Sequence, residues 1–178
     1  MTLEQLKYPI GTFINPTEIT SEQIKIWTKD IADLPSILKN LTGNLSEAEL
    51  SWQYRPKGWT IKQVIHHLAD SHMNSIIRFK IALTEKDPAI RGYDETAWAE
   101  LDDYSSDIHQ SLILLEGLHH RWVKLIENFS ENELQKTFYH PERNQKYSLK
   151  TAIGMYAWHS NHHLAHIEQA LFYKGKFE

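Results

Sequence analysis

Hydrophobic positions recur at three- and four-residue spacing in four long stretches of the chain, and a two-residue alternation is nowhere sustained. The first stretch runs roughly from Ser21 to Leu41, with Ile24, Trp27, Ile31, Leu34 and Leu38 on one face. The second runs roughly from Ile61 to Thr84 and carries Ile61, Val64, Ile65, Leu68, Ile76, Phe79 and Leu83. The third, roughly Asp107 to Phe129, has Leu112, Leu115, Leu118, Trp122, Leu125 and Ile126; the fourth, roughly Leu149 to Tyr173, has Ile153, Tyr156, Leu164, Ile167 and Leu171. Thr20-x-x-Gln23 and Thr60-x-x-Gln63 have the form of capping boxes at the starts of the first two. The residues around 138–148 can form a short hairpin. Four amphipathic helices predict an all-α protein, a four-helix bundle. The connection between helices two and three, roughly Glu85 to Ser106, is rich in Pro, Gly, Asp and Tyr. It is long enough to cross the bundle end, so helices two and three need not be antiparallel neighbours.

A weak internal repeat runs through this pattern. Leu45-Ser-Glu-Ala-Glu-Leu50 matches Phe129-Ser-Glu-Asn-Glu-Leu134. Each is followed by Tyr-x-Pro (Tyr54 to Pro56, Tyr139 to Pro141) and then by an aromatic–hydroxyl–aliphatic–Lys helix start, Trp59 to Lys62 and Tyr147 to Lys150. The two halves read as one helix-pair unit used twice, the alternative being that Ser-Glu-x-Glu-Leu is simply a common short-helix start.

Composition narrows the class. A chain of 178 residues is expected to form one domain, spanning 1–178. At 41% hydrophobic and 24% charged residues with a net charge of −4, it is ordinary globular protein, and no Lys/Arg stripe invites nucleic acid. No apolar run approaches the roughly 20 residues of a membrane span. The N-terminus lacks the apolar core of a signal peptide, so a cytoplasmic location is expected. With no cysteine, any metal must bind to nitrogen and oxygen.

The histidines carry the candidate chemistry. Seven of the 11 fall in two helical stretches: His66, His67 and His72, then His159, His162, His163 and His166. His159-x-x-x-His163 places two imidazoles one turn apart on one face. Adding one histidine from the second helix makes three neutral nitrogen donors, and three protein ligands with an open position is the arrangement of a catalytic zinc-type site. By helical phase, His159 and His163 flank the apolar arc of the last helix, about 60° to 100° from its centre, while His162 lies on the outer side. On helix two, His66 and His67 lie about 130° from the arc centre, on opposite sides. His67 shares a polar seam with Ser71, Asn74 and Arg78; His66 is expected to be solvated. His72 sits near the centre of the apolar stripe and ranks first by phase, with the alternative that it is a core imidazole bonded to a carbonyl.

The segment from Trp59 to Asn74 (WTIKQVIHHLADSHMN) resembles the DinB-like superfamily, and more closely the YfiT-type group of metal-dependent hydrolases, which also takes in bacillithiol transferase-like proteins. The likeness continues through Ile76 to Lys80, Pro88 to Arg91, Tyr93 to Glu95, Trp98, Phe138 to Pro141 and Trp158 to Ile167, nearly the whole length. The resemblance implies a four-helix bundle, a homodimer, and one divalent ion, zinc or nickel, per subunit. It assigns the ligands to the histidine before Leu-Ala in the helix-two motif, here His67, and to His159 and His163 of the last helix. The choice of His67 over His72 rests on the resemblance, against the phase ranking. Met155 and Trp158, opposite the core arc, are compatible with a second buried surface.

A three-histidine metal can activate water against a small-molecule substrate, which makes a metal-dependent hydrolase the leading expectation. The alternatives are a metal-dependent thiol S-transferase using a low-molecular-weight thiol, and a non-catalytic metal-binding stress-response dimer. His-Glu-x-x-His is absent because Ser160 follows His159, and there is no Gly-x-Ser-x-Gly elbow. The general base is unassigned. Asp70, Asn74, Arg78 and Tyr93 are candidates for substrate or supporting contacts, Trp98 and Trp158 for lining a pocket, and Asp94, Glu95, Asp102 and Asp103 read as loop charges or helix caps.

Overall fold

The structure, a computed structural model, describes residues 1–177. In chain order the elements are α1 (Leu3–Lys7), α2 (Ser21–Thr42), α3 (Glu47–Leu50), α4 (Ile61–Thr84), α5 (Glu95–Trp98), α6 (Ile108–Ile126), α7 (Glu131–Leu134), β1 (Thr137–His140), β2 (Gln145–Ser148) and α8 (Leu149–Tyr173). The four long helices α2, α4, α6 and α8 make a four-helix bundle, as the hydrophobic spacing predicts. Each opens on a side-chain cap: Thr20, Thr60, Asp107 and Ser148 accept from the backbone N–H of Gln23, Gln63, His109 and Thr151. Such a cap is worth about 1 kcal/mol. The expected reciprocal box forms at Thr60–Gln63, whereas at Thr20 only the cap half is present.

Two core clusters fix the helix directions. One end of the bundle joins Ile31, Ile76, Phe79, Trp122, Ile126 and Ile153. These come from the N-terminal half of α2, the C-terminal halves of α4 and α6, and the N-terminal half of α8. The other end joins Leu34, Leu38, Ile65, Leu68, Leu112 and Ile167 from the opposite halves. So α2 and α8 run parallel, and α4 and α6 run parallel in the other direction. Helix α2 packs on α6 and α8, and α4 packs on α6 and α8, which places α2 opposite α4 and α6 opposite α8 on the diagonals. Helices α4 and α6 are therefore neighbours, but parallel ones. The long crossover exists because a parallel pair requires the chain to return along the bundle. On its way the crossover joins the hairpin, with Ile90 N–H donating to the Tyr139 carbonyl (2.9 Å) and Tyr139 N–H to the Pro88 carbonyl (2.8 Å).

The internal repeat is structural. Ser46 and Ser130 cap α3 and α7 with the same box, to Glu49 and Glu133. After each, the chain folds back antiparallel, through the Gln53–Thr60 bridge in the first half and the β1–β2 ladder from Thr137–Ser148 to His140–Gln145 in the second. The first residue of the next long helix then donates to the same place in the turn: Ile61 N–H to the Trp52 carbonyl (2.9 Å), Leu149 N–H to the Lys136 carbonyl (2.8 Å). Each unit thus delivers one histidine-bearing helix, α4 or α8. Among the described residues no helix is long and apolar enough to cross a membrane.

Candidate metal centre

Helices α4 and α8 pack side by side in the bundle, and their polar seams meet at His67, His159 and His163. One nitrogen from each of the three lies within 4.8 Å of the others. His67 Nε2 is 3.3 Å from His159 Nε2. His67 and His163 are buried at 5% and 7% exposure, and Trp59 packs on the His67 ring at 4.7 Å. His72, which phase ranks first, does not join this group. It is fully buried one layer deeper, where its partners are His119 and His159.

Two chains of histidines fix how the α8 imidazoles present themselves. The first begins at a carbonyl orphaned by the sequence. Pro35 lies inside α2 and has no N–H to return to Ile31, four residues back. The Ile31 carbonyl instead accepts from His119 Nδ1 at 2.6 Å. A carbonyl only accepts, so His119 carries its proton on Nδ1 and its Nε2 is a lone pair. That lone pair accepts from His72 Nδ1 (2.8 Å), and His72 Nε2 in turn accepts from His159 Nδ1 (3.2 Å). The second chain begins at the Lys7 carbonyl in α1, which accepts from His166 Nε2 at 3.0 Å. His166 Nδ1 is then an acceptor for His163 Nδ1, at a long 3.4 Å. Both chains end the same way: His159 and His163 hold their protons on Nδ1 and keep Nε2 as a free lone pair.

The chemistry of this donor set fits a divalent ion. Burial, chiefly, pushes the His67 imidazole down to about 4 and holds His159 and His163 well below the ordinary value, with neighbouring histidines adding to it for those two. At neutral pH all three are uncharged, the form that ligates. Metal–nitrogen bonds of about 2.0–2.1 Å put two ligands of a tetrahedron roughly 3.3 Å apart, the spacing found between His67 Nε2 and His159 Nε2. Second-neighbour hydrogen bonds on the far ring nitrogen are the usual companion of histidine ligands. His67 is the exception, because its Nδ1 is buried without a partner.

The three imidazoles open into a cleft of about 620 Å³, a size suited to a small molecule. Of the sequence candidates, Arg78, Tyr93, Glu95 and Trp158 line it. Burial raises the Tyr93 phenol to about 12, and Trp98 packs against that ring at 4.3 Å rather than facing the cleft. Asp70 does not reach the cleft; its carboxylate accepts from Tyr104 Oη at 2.7 Å, and Asn74 donates back to the Asp70 carbonyl. Asp94 caps α5.

Two expectations need correction. His66 is not solvated: α6 covers it, with Nδ1 2.8 Å from Ser111 Oγ and Nε2 3.3 Å from the Ser106 carbonyl. His162 is not on an outer face, because the N-terminal segment lies over α8, with Tyr8 5.9 Å from its ring and Trp158 stacked on it at 4.5 Å. Of the residues compatible with a second buried surface, Trp158 donates to the Gly11 carbonyl at 3.2 Å and Met155 lines the cleft. His119 escaped the sequence reading, although it occupies the stripe position between Leu115 and Trp122 on the third helix. Arg55, Arg143 and His140 also line the cleft, and nothing in periodicity singles them out.

With a bundle of this topology and a three-histidine centre between α4 and α8, the chain belongs to the DinB superfamily, whose family model matches residues 31–167. It is 49% identical over 165 residues to a "Putative metal-dependent hydrolase" of Bacillus cereus, covering 93% of this chain and 95% of that one. A protein of the same description from Oceanobacillus iheyensis is 52% identical over 161 residues, covering 90% and 93%. Among solved structures it is similar to YfiT from Bacillus subtilis, described as a probable metal-dependent hydrolase with an unusual four-helix bundle topology: 44% identity, TM-score 0.93, covering 97% of this chain and 99% of that one.

Proposed function

We propose that His67, His159 and His163 hold one divalent ion, zinc or nickel, and that the protein is a metal-dependent hydrolase acting on a small molecule in the adjoining cleft. The reading is carried by one observation: three uncharged imidazoles converge on one point at the floor of the cleft, two of them with their Nε2 lone pairs fixed by hydrogen bonds behind them. A bound ion supplies Lewis acidity that polarises a carbonyl and brings a water pKa toward about 7. The chain orients the ligands through the two histidine chains, and Trp59 shields His67 from solvent. The names of the relatives support the hydrolase reading, and the resemblance adds a homodimer, checked by light scattering.

One observation favours a second reading, transfer of a small thiol to an electrophile. Among the described residues the carboxylates lining the cleft are Glu95 and Glu142, both exposed, so no buried carboxylate stands beside the triad as a general base. A thiolate needs no such base.

Elemental analysis of untagged protein beside His67→Ala, His159→Ala and His163→Ala tests the site. We expect about one ion per chain in the wild type, lost in each variant and kept in His162→Ala. A wild type that takes up no zinc or nickel would end the proposal. Turnover of esters or amides without added thiol supports the hydrolase; turnover strictly dependent on a thiol supports the transferase.

A further inference from the structure

The cleft is strongly cationic in a chain whose net charge is −4. Lys7, Arg55, Lys57, Arg78 and Arg143 line it against only Glu95 and Glu142. Two of these cations are unusual in being partly buried with no counter-ion. Among the described residues every ion pair is made by a lysine and none by an arginine. Arg78 donates from Nη1 to Tyr156 Oη (2.9 Å) and from Nη2 to the Arg91 carbonyl (3.4 Å), while its Nε is buried without a partner. Arg55 donates from Nη1 to the Pro56 carbonyl (3.2 Å), and its Nε is likewise buried and unpartnered. Buried charge is ordinarily paired, because removing it from water costs several kcal/mol.

Their placement relative to the triad is specific. Arg78 is held at Tyr156, one turn before His159 on α8. Arg55 lies over the Tyr54 ring (5.2 Å), which stacks at 3.8 Å on His166, one turn after His163. At 1.5 Å rise per residue, Tyr156 and His166 are about 15 Å apart along the helix, with the triad between them. Each arginine is fixed by neutral partners that leave the remaining guanidinium N–H groups undirected. A guanidinium in that state is suited to bidentate binding of a carboxylate or phosphate.

We infer that the substrate of this cleft is an anionic small molecule whose oxyanion groups are bound by Arg78 and Arg55, on either side of the histidine triad. The inference rests on the proposed function for the reacting centre, but the arginine sites themselves need no metal. Carboxylate and phosphate share the required chemistry.

The test is titration calorimetry at fixed ionic strength on the full-length protein, metal-free and zinc-loaded. The probes are inorganic phosphate and succinate, with neutral succinamide as control. Saturable binding of one or both anions to the metal-free protein is expected, with Arg78→Gln and Arg55→Gln each weakening it about tenfold or more. Arg121→Gln, on the exposed surface of α6 outside the cleft, leaves it unchanged. Tighter phosphate or tighter succinate identifies which oxyanion the site prefers, and either supports the inference. Absence of saturable binding, equal binding of succinamide, or binding unaltered by Arg55→Gln overturns it. Arg55 lies outside the long helices, so its variant keeps the test decisive even where Arg78→Gln unfolds the chain. Because the metal-free protein is titrated, failure here reports on the arginines, whereas failure to take up metal reports on the triad.

Discussion

Replacing His119 with phenylalanine breaks the longer histidine chain at its anchor while keeping a flat ring of similar size in a site of 2% exposure. Two buried groups lose their partners: the Ile31 carbonyl, which Pro35 leaves without a helical donor, and the His72 Nδ1–H. Each orphan costs about 1–3 kcal/mol, so the folded state should lose about 2–6 kcal/mol. A second effect is separable from stability. With His72 free to exchange its tautomer, His159 is no longer held with its proton on Nδ1. Removing a supporting group of this kind weakens metal binding about 10- to 100-fold. The assay is competition for zinc against a chelating chromophore, under conditions where circular dichroism shows the variant folded. Nitrogen-15 correlation spectra of the metal-free protein supply an independent reading: Nδ1–H for His159 in the wild type, a mixture in the variant. A folded variant with zinc affinity within about twofold of wild type would show that the chain is packing and nothing more.

Acid should unfold the metal-free protein early. His67 and His119 are both held near 4 by burial, below the ordinary 6.5, so each takes up a proton on unfolding. Stability therefore falls as pH drops from about 6.5 toward 4, by about 2 kcal/mol per histidine at pH 5, and chemical denaturation at pH 7 and 5 measures it; equal stability at the two values would refute the burial argument. Gly154→Ala should also destabilise: a methyl there meets the Trp27 indole at 2.7 Å, where α8 passes α2. Overpacking of this kind costs about 1–3 kcal/mol, read as a lower thermal midpoint, and an unchanged midpoint would mean that Trp27 has room to move.

The parts of this molecule legible in its sequence are those set by a helix's own periodicity. The start and end of α4 and α8, the capping threonine of each early helix and the His159–His163 pair all follow from spacing within one element. What spacing cannot supply is the identity of the surface that faces each residue. His66 and His162 point away from the apolar arcs of their helices, which argues for solvent only if nothing else covers them. In the fold, α6 covers one and the N-terminal segment covers the other. The same limit explains His72 and His67. Phase ranks His72 first because it points to the bundle centre, and the centre is where it lies, but there it meets His119 and His159. The seam between α4 and α8, off-centre and open to the cleft, is where His67 can meet two lone pairs. That seam exists because α2 lies diagonal to α4, which leaves α8 as its neighbour.

Pro35 gives the strongest case of a local exception with a distant reason. An interior proline costs a helix about 3 kcal/mol, and by itself it reads as a defect in α2. Its consequence is a free carbonyl at Ile31, placed opposite a histidine in the apolar stripe of α6. From that carbonyl the proton positions of His119, His72 and His159 follow one after another, each because its neighbour can only accept. The orientation of a candidate metal ligand on the last helix, His159, is thus set by a missing N–H on the first long one, through the two buried imidazoles of His119 and His72.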